Sequence, residues 1–280
     1  MAALTVCFDA LEAAGDQKAR DAVMWELPCR ECSENGRCLT AKRKDMGPLL
    51  YDREMLTTPR GLASSLFPRE RFASALRPDL VLVDEYVPEP GERVVIGWDL
   101  AWSERTGGDY LAYVCAVQYP NRQRRILDIN RWRGVAFTKQ VQMIAARHKR
   151  MGAALTVIEE VGAQSAWVQE AKTILGNQRV IGHTARGKDS LAHGIPALLT
   201  DLDQGRWEFP VDQRVDWLIT ECGAFGWEDD RLAGVGEHDD LVMAWWHCRW
   251  GLAKWSVGTF SAPDLISRPW PADADSLWNS

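Results

Sequence analysis

The residues of this 280-residue chain that can do chemistry together are acidic. In "VVIGWDLAWSERTGGDYLAY" (94–113) a β-branched run reaches Asp99 with no break in its extended pattern. Asp is a poor strand former, and a carboxylate inside a strand is costly unless a cation answers it. "LTVIEE" repeats the arrangement with Glu159 and Glu160, and "EHDD" sets Asp239 and Asp240 directly before an apolar helical run. The period of two puts Asp99 on the face of Val95 and Gly97, and Glu159 on the face of Leu155 and Val157, with Glu160 opposite. If those strands are parallel neighbours, Asp99 and one glutamate meet at their carboxyl ends, where open α/β sheets carry their sites. Converging carboxylates repel, so they need protons or a cation. An all-oxygen set suits Mg²⁺ or Mn²⁺ rather than zinc. Two such ions roughly 3.5–4 Å apart activate water and stabilise the leaving oxygen of a phosphodiester.

Each acidic residue also has a plainer role open to it. Asp99 can end a strand in a turn, and Asp109 in "GGDY" can stabilise one. Glu159 and Glu160 suit a helix N-terminus, and Asp239 is a good N-cap. The order is more specific than any member: strand-Asp, strand-Glu, then "HDD" opening a helix.

Strands are predicted at 94–100, 110–118 and 124–131, with Gly107-Gly108 and Pro120-Asn121 as turns. A helix over 138–151 carries Val141, Ile144 and Ala145 at helical spacing. A strand at 153–160, a helix at 164–175 and a short strand "RVIGH" follow. Helices at 190–204 and 212–222 flank a strand "RWEFP", and "GEHDDLVMAWWHCRWGLAKW" closes the pattern as a helix. Three meander strands followed by alternating helices and strands imply an α/β fold. It is a mixed sheet, antiparallel then parallel, with helices on both faces, compatible with an RNase H-like fold. "DEYVPEPGER" (84–93) punctuates the chain. It divides an irregular region, 1–90, with helical pieces at 8–26 and 47–56, from a domain at 91–256; residues 257–280 form a tail.

The hydrophobic share of 46% and charged share of 26% are ordinary for a globular protein. No apolar run approaches the ~20 residues of a membrane span. The N-terminus acquires Asp9 early and has no basic leader, which argues against a secretion signal. Seven cysteines over this length do not read as a disulfide framework, so a reducing, intracellular compartment is expected. The net charge of −6 discourages a nucleic-acid partner. Its distribution does not: between Arg122 and Arg150 lie Arg124, Arg125, Arg131, Arg133, Lys139, Arg147 and Lys149, opposed only by Asp128. Such a cluster is either a solvated face or a phosphate-binding one, the latter if a metal site lies beside it.

The pieces "IGWDLAWSERTGGDY", "VIEEVGAQSAW", "ARGKDSLAHGIPALL" and "GEHDDLVMAWW" resemble, in order and spacing, the C-terminal nuclease domain of tailed-bacteriophage terminase large subunits. The resemblance covers roughly residues 90 to 255. It implies a metal-dependent endonuclease that cuts concatemeric viral DNA during packaging, with Asp99, Glu159, Asp239 and Asp240 holding two Mg²⁺ or Mn²⁺ ions. Asp109 would stand beside the metals as an auxiliary acid, and Glu160 would be the spare, because Gln164 follows Glu159 at the family's distance. Lys188 in "RGKDS" matches a basic position facing DNA phosphate, and Arg131 and Arg133 are further candidates. Many relatives carry another Asp three residues after "HDD", where this chain has Met243. The implied partners are double-stranded DNA, the terminase small subunit, the ATPase part of the motor and the capsid portal, in the host bacterial cytoplasm. "LLYDREMLTTPRGLASSLFP" resembles the segment that joins ATPase to nuclease. No G-x-x-x-x-G-K-[ST] loop occurs in the sequence, so ATP hydrolysis is not expected of it. The alternatives are an RNase H-like resolvase or transposase, or a non-catalytic module that docks on DNA or the portal.

In "CRECSENGRC" the C-x₂-C pair Cys29 and Cys32 makes half of a zinc site, to which Cys38 could add a third ligand and Cys7 a fourth, or else these are loop thiols. Most of the 14 tryptophans are expected in the core, with Trp98, Trp102 and Trp167 near enough to the site to stack on DNA.

Overall fold

The computed structural model describes residues 65–101, 108–190, 192–228, 231–234 and 238–256, all within the unit Arg60–Ser280. The expected helices at 8–26 and 47–56, the cysteines Cys29, Cys32 and Cys38, Trp102 and the 257–280 tail lie outside the described residues.

Runs of β-branched and aromatic residues build the centre of the molecule. Strand β2 (Arg93–Asp99) is buried at every position after Arg93, and β3 (Leu111–Gln118) is buried throughout. Strands with no exposed face must be covered on both sides. β2 and β3 pair antiparallel, as do β3 and β4 (Arg124–Trp132). On the other side of β2, β5 (Leu155–Glu159) and then β6 (Val180–His183) pair parallel. β7 (Trp207–Pro210) lies parallel to β4, and a two-residue strand β1 (Leu76–Arg77) lies parallel to β7. The sheet order is β1-β7-β4-β3-β2-β5-β6, the expected mixed sheet. β1 and a 3-10 turn at Arg69–Phe72 were not expected; two residues and one turn are too short to show a period.

Five α-helices flank the sheet among the described residues: α1 (Phe137–Arg150), α2 (Ser165–Leu175), α3 (Pro196–Asp203), α4 (Gln213–Ala224) and α5 (Asp240–Ser256). Val94, Ile96 and Trp98 share one core with Met143, Ile144 and Ala145 of α1 and Val168 and Ala171 of α2. The opposite face of β2 belongs to α5. A Cβ on Gly97 would fall 2.2 Å from the Ala244 carbonyl oxygen and 2.3 Å from the Cys248 nitrogen. A Cβ on Gly251 would meet Val95 and Val157. Two glycines thus let α5 lie directly on the face that carries Asp99.

Helix α3 is shorter than the predicted 190–204. Gly194 sits where a Cβ would be 2.2 Å from the Lys188 carbonyl oxygen, and Pro196 takes the first helical turn, where its missing N–H costs nothing. A hairpin, β8 (Phe225–Glu228) with β9 (Arg231–Gly234), was also missed. Cys115, Cys222 and Cys248 are buried free thiols. No helix among the described residues is long and apolar enough to cross a membrane.

Candidate active site

Strand register brings the first two carboxylates together. Parallel pairing of Gly97 with Val157 and Trp98 with Ile158 sets Asp99 beside Glu159 at the carboxyl ends of β2 and β5. Gln164 braces the place: its side-chain oxygen accepts the Val161 N–H at 2.9 Å and its amide donates to the Leu100 carbonyl at 3.4 Å. Gln140 of α1 donates to the Ala101 carbonyl at 3.0 Å. Asp99 is only 8% exposed and is hydrogen-bonded to Glu159. Burial, followed by the charges of Glu159, Asp240 and Asp239, raises its carboxyl well above the ordinary range. Two carboxylates in such contact share a proton or a cation. Glu160 lies across the sheet on Gly182, whose added Cβ would strike its Oε2.

The docking of α5 supplies the second pair. Asp240 is the first residue of the helix and buried; burial and then the charges of Glu221, Asp239 and Asp109 push its carboxyl up to about 7. It accepts a hydrogen bond from the Tyr110 amide, but its Oδ2 is buried without a hydrogen-bond partner, the His238 Nδ1 standing off at 3.5 Å. Burial likewise raises Asp239, against which Lys188 acts as the largest opposing charge. Asp109, itself exposed ahead of β3, adds its charge to both. The Asp239 carbonyl accepts the Met243 N–H at 3.0 Å, as an N-cap backbone does. The side-chain cap, however, is Glu221 of α4, whose Oε2 accepts the Leu241 N–H at 2.7 Å.

Glu221 was not foreseen. It is 5% exposed, burial pushes its carboxyl up to about 7, and its other oxygen pairs with Arg131. The clue lay in the helical period: Leu218 and Cys222 flank it on the buried side of α4, so a charge there needed a partner.

The basic residues divide. Lys188 lies in a turn closed by Lys188 N–H to Ala185 at 3.2 Å and Ile195 N–H to Lys188 at 2.7 Å, next to Asp239. Arg133 stacks over Tyr110 at 4.2 Å and contacts His238. Arg131 is held in its ion pair with Glu221. The run from Arg122 to Arg150 is not one basic face: Arg124 and Arg147 are buried and paired with Asp201 and Asp128. Side chains of one strand alternate between faces and those of a helix rotate, so closeness in sequence did not become a common surface. Trp98 is fully buried against Tyr113 and belongs to the core, while Trp167, partly buried, packs edge-on against Phe137 at the core's margin.

Among the described residues no three His, Cys, Asp or Glu side chains close on one point as metal ligands do. The donor chemistry nevertheless fits hard divalent cations: oxygen only, mutually repelling, with an Asp240 Oδ2 that lacks a hydrogen-bond partner and a close Asp99–Glu159 contact whose repulsion a cation would relieve.

No family model matches the chain, and no curated protein does. Solved structures that share its architecture include the large terminase nuclease from thermophilic phage G20c with bound magnesium and the same nuclease with bound cobalt. Each is 18% identical, with a TM-score of 0.50, over 68% of this chain and 97% of that one. The chain has the RNase H-like fold of a phage terminase nuclease. In that fold Asp99, Glu159 and the start of α5 meet at one end of the central strands.

Proposed function

We propose that this chain is a divalent-metal-dependent endodeoxyribonuclease of a phage DNA-packaging terminase, cutting concatemeric viral DNA by two-metal phosphodiester hydrolysis. The observation that carries the reading is Asp99, a buried carboxylate whose strongest charged neighbours, Glu159, Asp240 and Asp239, all bear its own sign. Asp99, Glu159, Asp239 and Asp240 hold two Mg²⁺ or Mn²⁺ ions, with Asp109 beside them. When bound, the ions supply an activated water and neutralise charge developing on the phosphodiester oxygens. The protein's own part is positional. The β2–β5 register, the Gln164 brace and the close seat of α5 on Gly97 hold the carboxylates before DNA arrives, which lowers the cost of ordering them. Arg133 and Lys188 meet DNA phosphates at the rim, which positions the duplex and reads no sequence. The G20c nuclease of this fold has been solved with bound magnesium and with bound cobalt, which supports divalent-metal use here. The partners are double-stranded DNA and, within the packaging machine, the small subunit, the ATPase part and the portal, in the host bacterial cytoplasm.

Supercoiled plasmid incubated with the protein and Mg²⁺ or Mn²⁺ should be nicked and then linearised, and excess chelator should stop both. Plasmid left intact in both metals would overturn the reading.

A further inference from the structure

Arg131 is engaged within the protein rather than left open at the rim. Arg131 donates through Nη1 to Glu221 Oε1, and its guanidinium lies over the ring of Tyr110 at 4.3 Å and near that of Trp217 at 5.2 Å. The other oxygen of Glu221 accepts the Leu241 N–H at 2.7 Å. The Tyr110 amide in turn donates to Asp240. One ion pair therefore joins β4, α4, the segment entering β3 and the first turn of α5. Two of those four places adjoin an acidic residue of the site: Tyr110 follows Asp109, and Leu241 follows Asp239-Asp240.

We infer that Arg131 and Glu221 form a positioning clamp that holds the first turn of α5, and with it Asp239 and Asp240, in the arrangement that binds metal. The inference rests on the metal-binding reading above. Neither clamp residue is a metal ligand or a DNA contact. The first N–H groups of a helix have no partner within it, so an unheld first turn frays and re-aims the side chains it carries. A planar guanidinium between two rings suits this task, because stacking fixes its plane while its fork fixes the carboxylate.

The test uses Arg131→Ala, Arg131→Lys, Glu221→Ala and the double alanine variant, with Mn²⁺ binding followed by the spectroscopic signal of the free ion, without DNA. Supporting groups of this kind typically change metal affinity about 10- to 100-fold. That loss is expected for each alanine variant, with the double variant losing much less than the product of the two. Arg131→Lys, which keeps the charge but not the fork, should fall between. Hydrogen exchange at the Leu241 amide should quicken in Glu221→Ala, and the salt dependence of DNA binding should keep its slope in Arg131→Ala. A phosphate-contacting arginine would instead lower that slope by about one and leave Mn²⁺ affinity unchanged, and that outcome would refute the clamp. A parent protein that binds no Mn²⁺ would defeat the metal reading alone. The clamp would then stand or fall on the exchange rate at Leu241, where no change on losing Glu221 refutes it.

Discussion

Asp201 and Asp99 are both buried aspartates of one sheet protein, 2% and 8% exposed, and they live in opposite electrostatic worlds. Asp201, on α3, accepts from Arg124, from Arg249 at 2.7 Å and from Arg206 at 3.1 Å. Burial pushes its carboxyl upward, but Arg124 and Arg249 outweigh burial and hold it below the ordinary range. Asp99 has the same burial and no such answer, and everything strong around it raises it further. They also sit at opposite ends of the central strands, Arg124 opening β4 and Asp99 closing β2. Burial of a carboxylate is therefore no mark of a site by itself. The mark is burial whose cost the protein leaves unanswered, because a group that arrives later, such as a cation, can answer it.

The largest separation of the two should come from neutralising each. Asp99→Asn should lower plasmid nicking in Mn²⁺ at least about a thousandfold, as loss of a metal ligand does, while leaving the metal-free protein as stable as the parent or more so. Asp201→Asn should do the reverse, costing about 3–5 kcal/mol because it strands three guanidiniums. Its activity per folded molecule should survive. Nicking rates and urea midpoints for both variants, measured side by side, check this. If Asp99→Asn unfolds more easily and Asp201→Asn does not, the comparison is inverted and Asp99 is structural.

A smaller effect with a clear sign comes from pH. The folded carboxyl of Asp240 is raised to about 7, so the folded state binds a proton there that the unfolded state has lost. Its contribution is fully present below about pH 4 and disappears as pH rises through 7. It is on the order of 2–4 kcal/mol. Asp201 is shifted the other way, so its contribution is present above the ordinary carboxylate range and disappears as pH falls through it. In chelator, Asp240→Asn should gain stability over the parent steadily between pH 5 and 8. Parallel denaturation curves across that range would mean the cluster is already neutralised.

Lys188 should give the smallest change. It opposes Asp239 across a solvent-accessible turn, so Lys188→Ala should alter stability by no more than about 0.5 kcal/mol. DNA affinity should fall modestly, with the salt slope reduced by about one. An unchanged slope would assign Lys188 to the acidic cluster rather than to the DNA.

Much of this was legible in the residues. The run from Val94 to Asp99 reads as a covered strand carrying a charge it should not carry, and "LTVIEE" does the same, because alternation and β-branching are local properties. The period of two set Glu159 and Glu160 on opposite faces, the resemblance chose Glu159, and Glu160 does lie away, on Gly182. Helix α3 and the hairpin β8–β9 were less legible. The start of α3 depends on a close backbone approach at Gly194, and in "FGWEDDRLAG" (225–234) two glycines and four charged residues interrupt the apolar alternation by which a strand is recognised.

Composition and period thus determined strands β2 to β7, the flanking helices and the mixed sheet, and marked the acidic positions at their ends. They did not determine which charges are answered. Arg124, Arg131, Arg133 and Arg147 look alike in one basic run. The fold sends the first and last into the core to Asp201 and Asp128, the second to Glu221, and leaves Arg133 at the rim beside His238. Charge pairing is a property of distance in space, and those partners lie 77, 19, 90 and 105 residues away or back along the chain. Only the packing of α3, α4 and α5 on the sheet decides that Asp201 is met by arginines and Asp99 by carboxylates.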